Sequence, residues 1–529
     1  MTGERVYIYD TTLRDGAQTQ GVDFGVPDKL AIARELDAFG IDYIEGGWPG
    51  ANPTDDAFFA HLPKLSHAKL CAFGMTRRSG RSAGNDPGLA AILSSGAKVA
   101  TIVGKAWDFH AKVALDVGLD EALAMVGESV AYAATKLDEI IFDAEHFFDG
   151  FKSNPKFALD CIKAALKSGA RWIVLCDTNG GTLPDEVERI VRAAQEAVPG
   201  DRLGIHCHDD TGTGVANSLA AVRAGARHVQ GTLNGLGERC GNANLVSVIP
   251  NLVLKMGYAT GVTREGLARL THVSRFLDER LNRAPDRHAA YVGEAAFAHK
   301  GGLHVSAVTK DPRSYEHIDP ASVGNRRHIV VSDQAGKSNL LARLGEIGIS
   351  IKSDHPKLGA LLDEVKSREF KGYAYDGAEA SFELLARRAL ETVPEYFKLQ
   401  SFRVLDERRW NATGELVTLS EATIKVNIGN KQEMRVAEGN GPVNALDAAL
   451  RQALSPTYPE LDRIKLTDYK VRILTPQDGT KAITRVMIES SDGAEVWSTV
   501  GVSANVIDAS YDALHDSLTY KLWRSGRRA

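Results

Sequence analysis

Leu203-Gly204-Ile205-His206-Cys207-His208-Asp209-Asp210 runs into the turn Thr211-Gly212-Thr213-Gly214 and then into a helix-like stretch over 215–224. The order apolar lead, polar tip, glycine turn, helix is that of one βα unit. On a strand the side-chain period is two, so His206 and His208 point to one face and Cys207 to the other. Paired ligands at a strand end just before a helix suit a metal site at the C-terminal face of an α/β barrel. Alone, two such histidines are more often one surface residue and one satisfied core residue. The rest of the chain decides between these readings.

Working outward, seven more apolar runs of strand length alternate with helical patterns. They are Val6-Tyr7-Ile8-Tyr9, Ile41-Asp42-Tyr43-Ile44, Leu70-Cys71-Ala72-Phe73, Val99-Ala100-Thr101-Ile102-Val103, Glu139-Ile140-Ile141-Phe142, Trp172-Ile173-Val174-Leu175-Cys176 and His228-Val229-Gln230-Gly231-Thr232. Amphipathic stretches over 28–40, 119–136 and 184–197 lie between them. This alternation predicts an α/β fold, a (β/α)8 TIM barrel over residues 1–275. A doubly wound open sheet is the other candidate. Against it, the first βα turn lacks GxGxxG and polar residues follow nearly every strand.

Those tips include Asp10-Thr11-Thr12-Leu13-Arg14-Asp15-Gly16, Glu45-Gly46-Gly47, Asp143-Ala144-Glu145-His146, Asp177-Thr178-Asn179 and Gly235-Leu236-Gly237-Glu238-Arg239-Cys240-Gly241-Asn242. In a barrel they converge on one face, where sites are built.

Beyond the barrel, residues 276–395 read as a helical linker subdomain, with helical patterns at 274–282, 337–345, 357–368 and 378–390 and a Gly- and His-rich segment, Phe297-Ala298-His299-Lys300-Gly301-Gly302-Leu303-His304. Residues 396–529 turn β-rich, with alternating runs at 421–428 and 481–490. Asn444-Ala445-Leu446-Asp447-Ala448 and Asn505-Val506-Ile507-Asp508-Ala509 begin two similar helical patterns 61 residues apart. Two β-β-β-α repeats, forming an α+β regulatory or dimerisation domain, are the economical reading.

Composition sets outer bounds. With 529 residues the chain exceeds one ordinary domain. The hydrophobic and charged shares, 43% and 25%, are those of a globular protein, and a net charge of −5 calls for neither nucleic acid nor an anionic membrane. No apolar run approaches the roughly 18 residues that span a bilayer. Met1-Thr2-Gly3-Glu4-Arg5 leads straight into a strand without a signal-like apolar core. Five cysteines without CxxC spacing read as reduced thiols. A cytoplasmic enzyme is the expectation.

Asp15, His206, His208 and Asn242 together offer one carboxylate, two imidazoles and an amide. Without a thiolate, this mixed shell suits an open catalytic site for Mn2+, Mg2+ or Zn2+ better than a structural zinc. Beside it, Arg14 can hold negative charge developing on a polarised carbonyl oxygen. That chemistry fits carbon–carbon bond formation or cleavage next to a carbonyl, with Glu145 and Thr178 placed to position a 2-oxo acid.

The Asp10–Gly16, His206–Asp209 and Gly235–Asn242 motifs resemble those of the metal-dependent, pyruvate carboxyltransferase-like barrel family. It includes alpha-isopropylmalate, homocitrate and citramalate synthases and the hydroxymethylglutaryl-CoA lyases. Ile44-Glu45-Gly46-Gly47-Trp48-Pro49-Gly50-Ala51-Asn52-Pro53 looks most like the citramalate synthase branch. The resemblance implies Asp15, His206, His208 and Asn242 as metal ligands and Arg14 as the group that stabilises an enolate or alkoxide oxygen. It implies Glu145 as an active-site acid, and Thr178, Glu45 and Tyr315 as substrate contacts. It implies His304 as a linker histidine that helps deprotonate acetyl-CoA, acting in the barrel of the other subunit of a homodimer. Asp143 departs from the pattern, standing where some citramalate synthases place a tyrosine. Pyruvate and acetyl-CoA are the implied substrates, and isoleucine the implied feedback inhibitor.

Other readings are weighed against these. A 2-isopropylmalate or homocitrate synthase differs only in its oxo acid. A lyase needs no 250-residue C-terminal half. A biotin-dependent carboxyltransferase would offer a lysine on strand six, where this chain has Leu175-Cys176-Asp177-Thr178. An amino-acid-binding regulator on an inactive barrel would lack a ligand or Arg14, and both are present.

Overall fold

The computed structural model of the chain describes residues 3–281, 283, 285–299, 302–329, 337–391 and 393–527. Two compact units emerge: Met1–Phe297 with Ile318–Arg326, and Ala298–His317 with Arg327–Ala529.

The first unit is the expected barrel. Its strands are β1 (Tyr7–Asp10), β2 (Tyr43–Gly47), β3 (Lys69–Met75), β4 (Val99–Lys105), β5 (Glu139–Glu145), β6 (Trp172–Asp177), β7 (Leu203–Cys207) and β8 (His228–Gly231). Neighbours pair in parallel in sequence order, and β8 closes on β1 from Tyr7↔His228 to Asp10↔Gly231. All eight sequence runs become strands. Several extend past their last apolar residue: β5 continues to Glu145 because Gly104 and Lys105 of β4 pair with Ala144 and Glu145. The neighbouring backbone, not side-chain polarity, decides where a ladder ends.

The helices form for local reasons. Val26–Phe39 has proline in its first turn and buries Ile32, Ala33, Leu36 and Phe39 on one stripe. It stops at Gly40, at φ 103°, where a Cβ would meet the Gly261 carbonyl oxygen at 2.6 Å. Side chains on the outer strand faces pack against the helices; Cys207, expected to face away from the histidine pair, lies fully buried in this layer. The inner faces hold Tyr9, Tyr43, Val99, Ile141 and Trp172. The barrel is therefore filled below its mouth, and a ligand enters only at the loop end.

In the second unit, β9 (Ala298–His299) pairs in parallel with β10 (His328–Ile329). The linker helices are Gly302–Lys310, Lys337–Glu346, Pro356–Phe370 and Glu379–Leu390. Leu340, Leu344, Leu361, Val365, Phe382 and Leu385 form the shared core of the last three. The residues Asn282, Lys300 and Gly301, which the linker reading included, lie outside the described residues.

Two antiparallel sheets follow, each with its own helix. The first has β11 (Lys398–Trp410), β12 (Leu416–Ile428), β13 (Lys431–Gly439) and the helix Pro442–Leu454. The second has β14 (Lys465–Ile473), β15 (Thr484–Ser491), β16 (Val496–Ser503) and the helix Val506–Arg524. The β-β-β-α duplication is present. The matching asparagines are not equivalent: Asn505 caps its helix by accepting from the Ile507 N–H, whereas Asn444 lies inside its helix and accepts from the Asn440 N–H. Lys481 ends a short 3-10 turn, so the strand expected from 481 starts at Thr484. Among the described residues, no helix is long and apolar enough to cross a membrane.

Candidate metal centre

The turn after β1 carries the first two groups. Asp10 accepts from the Thr12 N–H and hydroxyl, both at 2.9 Å, and Thr12 Oγ1 accepts from the Leu233 N–H at 2.9 Å. Burial pushes the Asp10 carboxyl up to about 7, against these hydrogen bonds. The first and last loops of the barrel are thus tied together, with Arg14 and Asp15 on the turn between them.

Asp15 meets the β7 histidines. Its Oδ2 lies 3.5 Å from His206 Nε2 and 3.9 Å from His208 Nε2, and the two ring nitrogens are 3.4 Å apart. All three residues are at most 5% exposed. Triangle edges of this size suit ligands gathered around one small cation at roughly 2.0–2.2 Å. Asn242 joins through its backbone, which bridges to His208. The loop that returns it is tight: a Cβ on Gly237 would meet Asn242 Nδ2 at 2.2 Å, and one on Gly241 the Gly235 carbonyl oxygen at 1.9 Å.

These residues fit a divalent ion. Asp15 Oδ1 and Asn242 Oδ1 are buried acceptors with no hydrogen-bond partner among the described residues, and His208 Nδ1 is likewise unpartnered. Two oxygens without donors call for a cation. Burial raises the Asp15 carboxyl, but the Arg14 charge beside it outweighs this and holds the group below its ordinary range. Burial, helped by His206, lowers His208 to about 4, which leaves one ring nitrogen with a free lone pair. His206 Nδ1 faces Gln230 Oε1 at 2.8 Å, and Gln230 Nε2 donates to Asp143 Oδ1 at 3.0 Å. Since Oε1 only accepts, Nδ1 is the donor in this bond, and the ring is held with Nε2 facing Asp15. Burial and Glu45 push Asp143 well above the usual carboxylate range.

Arg14 is the second feature. Its Nε donates to Glu45 Oε2 at 2.6 Å, an Nη lies 3.5 Å from Asp15 Oδ2, and its guanidinium carbon is 3.9 Å above the Phe73 ring. Burial opposes the charge, but Glu45 and Asp15 more than restore it. Glu45 is fully buried and also accepts from Tyr9 at 2.5 Å and from Thr11. Its place is thus beneath Arg14 as counter-ion, outside the wall of the cavity. Leaving one member of such a buried pair unpartnered costs about 3–5 kcal/mol.

A cavity of about 300 Å³ opens above these groups, lined by Arg14, Asp15, His206, His208, Glu145 and Thr178, with Trp48, Phe73, Lys105 and Arg239 among the rest of the wall. Thr178 Oγ1 accepts from the His146 N–H at 2.9 Å. Arg239 pairs with Asp210 at 2.8 and 2.9 Å and donates to the Thr178 carbonyl at 2.7 Å, joining the loops after β6, β7 and β8. Asp209 caps the helix Gly214–Arg223 through the Gly214 N–H at 2.6 Å. His304 and Tyr315 belong to the second unit, where both are exposed and stack with centroids 4.2 Å apart.

Sequence reasoning missed three contributors. Lys105 at the end of β4 forms an ion pair with Glu145 in the cavity wall. The polar tip Gly104-Lys105 after an apolar run was the available signal. Gln230 sits in the middle of β8, and Arg239 in the last loop; only their neighbours in space reveal their parts.

Comparison with known proteins matches three family models along the chain. The HMGL-like family model matches residues 5–275, the homocitrate synthase post-HMGL domain-like model residues 291–370, and the LeuA allosteric (dimerisation) domain model residues 376–522. The chain is 51% identical to the (R)-citramalate synthase of Aquifex aeolicus (strain VF5), over 98% of each chain. It is 50% identical to that of Geobacter sulfurreducens (strain ATCC 51573 / DSM 12127 / PCA), again over 98% of each. Among solved structures, the hydroxymethylglutaryl-CoA lyase of Pseudomonas aeruginosa is 21% identical with a TM-score of 0.46, covering 53% of this chain and 95% of that one.

Proposed function

The chain belongs to the HMGL-like family and carries its LeuA allosteric (dimerisation) domain, and on that premise we propose that it condenses acetyl-CoA with pyruvate and water to give (R)-citramalate and CoA. This makes it an acyltransferase of isoleucine biosynthesis by a threonine-independent route, acting in the cytoplasm. The observation that carries the reading is 51% identity with a named (R)-citramalate synthase over 98% of each chain.

Asp15, His206, His208 and Asn242 are the residues that would hold the ion. When bound, a divalent ion there supplies Lewis acidity toward a ketone oxygen and a carboxylate. Arg14, fixed by Glu45 and Phe73, offers its remaining N–H groups to the oxygen on which negative charge develops. Thr178, Lys105 and Glu145 form the opposite wall, where they orient the oxo acid. We assign to His304 the removal of a methyl proton from acetyl-CoA, in a homodimer, with Tyr315 stacked on its ring. The resulting enolate attacks the ketone carbon, forming the new carbon–carbon bond. Water then cleaves the thioester, releasing CoA.

A CoA-release assay with pyruvate, 2-oxobutyrate, 2-oxoisovalerate and 2-oxoglutarate tests the assignment. Pyruvate is expected to give the highest kcat/KM, and a preference for either of the last two sinks it. Isoleucine is the proposed effector of the tail. A chain ending near residue 395 that stays fully isoleucine-sensitive would refute that part.

A further inference from the structure

Asn242 reaches the metal centre on a loop that is gripped from outside the site. Asn234, near the start of that loop, stands in the left-handed region at φ 55°, which a residue with a Cβ seldom adopts. Its side chain is held at both ends. Oδ1 accepts from the Ser274 hydroxyl at 2.7 Å, and Nδ2 donates to the Ser274 carbonyl and to Asp278 Oδ1, both at 3.0 Å. Ser274 and Asp278 lie one turn apart on the helix Leu270–Arg280, and Ser274 is only 4% exposed. Three hydrogen bonds to one helix over-determine a backbone conformation that would otherwise relax.

A short path leads from this grip to the ligands. Two residues beyond Asn234, the Leu236 carbonyl accepts from the Thr232 hydroxyl at 2.6 Å. The same carbonyl accepts from the backbone N–H and from Nδ2 of Asn242, each at 3.2 Å. With its amide nitrogen engaged there, Asn242 keeps Oδ1 as the buried acceptor without a donor. The Leu236 side chain lies over Gly16, where an added Cβ would come within 3.3 Å of Leu236 Cβ, and Gly16 follows Asp15. Thr19 closes the other flank: its Oγ1 accepts from the Gly237 N–H at 2.7 Å and donates to the Gly237 carbonyl at 3.2 Å. One turn therefore braces two of the ligands.

We propose that Asn234, Ser274 and Asp278 are positioning residues for the metal centre: the helix Leu270–Arg280 clamps the turn whose Leu236 orients Asn242 and packs beside Asp15. None of the three lines the cavity, so their action is read on ion affinity rather than on turnover. The probe is Mn2+, bound to the full chain after metal stripping, in competition with a chelating dye. Asn234→Gly keeps the left-handed backbone but releases the helix, and is expected to weaken Mn2+ binding about tenfold. Ser274→Ala combined with Asp278→Leu removes the side-chain partners from the helix side and is expected to give a similar loss. Asp278→Asn leaves an oxygen for Asn234 Nδ2 and should stay within twofold of wild type, a rescue that mere loosening of the fold would not show. Arg275→Ala, at an exposed position of the same helix, should also stay within twofold. Affinity within twofold of wild type in Asn234→Gly or in the double variant overturns the proposal, as does an equal loss in Arg275→Ala. Should Asn234→Gly not fold, the double variant decides. The inference rests on the metal-centre reading, and a wild-type chain that binds no Mn2+ refutes that reading and the clamp with it.

Discussion

Two buried histidine environments sit one layer apart in the same barrel. At the mouth, His206 and His208 are 4% and 5% exposed; below, His228 is fully buried. The ladder puts His206 opposite Gln230 and Gly204 opposite His228. Burial lowers His208 to about 4 with help from His206, and His228 to about 3 with help from Arg171. Neither burial nor proton affinity separates His208 from His228. Surroundings do. His206 and His208 share Asp15 at 3.5 and 3.9 Å, with two orphaned oxygens close by. His228 is boxed by the rings of Trp172, Tyr9 and Tyr43, at 5.0, 5.4 and 5.4 Å, and neither of its nitrogens has a hydrogen-bond partner among the described residues. A site is marked by donor atoms aimed at one point, and an unusual histidine without them is packing.

Four measurements would break or sharpen that contrast. The largest effect is expected from Asp15→Asn, which removes a charge from the convergence point. Turnover should fall by roughly 10³-fold with an unchanged circular dichroism spectrum; retained activity would mean that Asp15 holds no ion. Next, Gln230→Leu frees the His206 ring and should weaken metal affinity about 10- to 100-fold, read by competition with a chelating dye. Unchanged affinity would show that the ring is held without it.

The third concerns acid. The folded-state pKa of His228 lies below its ordinary 6.5, so on acidification the unfolded chain takes up a proton that the folded one refuses. Stability should therefore fall from pH 6.5 towards pH 3, with a contribution from this group of up to about 1.4 kcal/mol per pH unit. Urea midpoints of wild type and His228→Leu across that range measure it, the variant showing the shallower slope. Equal slopes would mean that His228 is protonated in the folded state. Smallest is the effect of His228→Leu at neutral pH, expected to shift stability by less than about 1.5 kcal/mol and to leave kcat/KM within a few-fold. A large loss of turnover would give the lower histidine a part in catalysis.

The eight strands and the two C-terminal repeats were legible because their signals are periodic and local. The meeting of Asp15 with His206 and His208 was legible because each stands at the tip of a recognisable strand or loop. Glu45 shows the limit. A glutamate at a strand tip reads as a substrate contact, but the hydroxyls of Tyr9 and Thr11 and the guanidinium of Arg14 surround its carboxylate. Gln230 was illegible for the same reason: a glutamine inside an apolar run takes its meaning from neighbours on other strands.

By itself, then, the sequence determined the barrel, the order of its tips and the kinds of donor atom available, since these follow from hydrophobic period and residue chemistry. Only the tertiary structure decided which tips meet. The closed ladder sets β8 between β7 and β1, and that register, absent from any one segment, brings Asp15 to the two histidines, puts Glu45 beneath Arg14 and leaves His228 in an aromatic box.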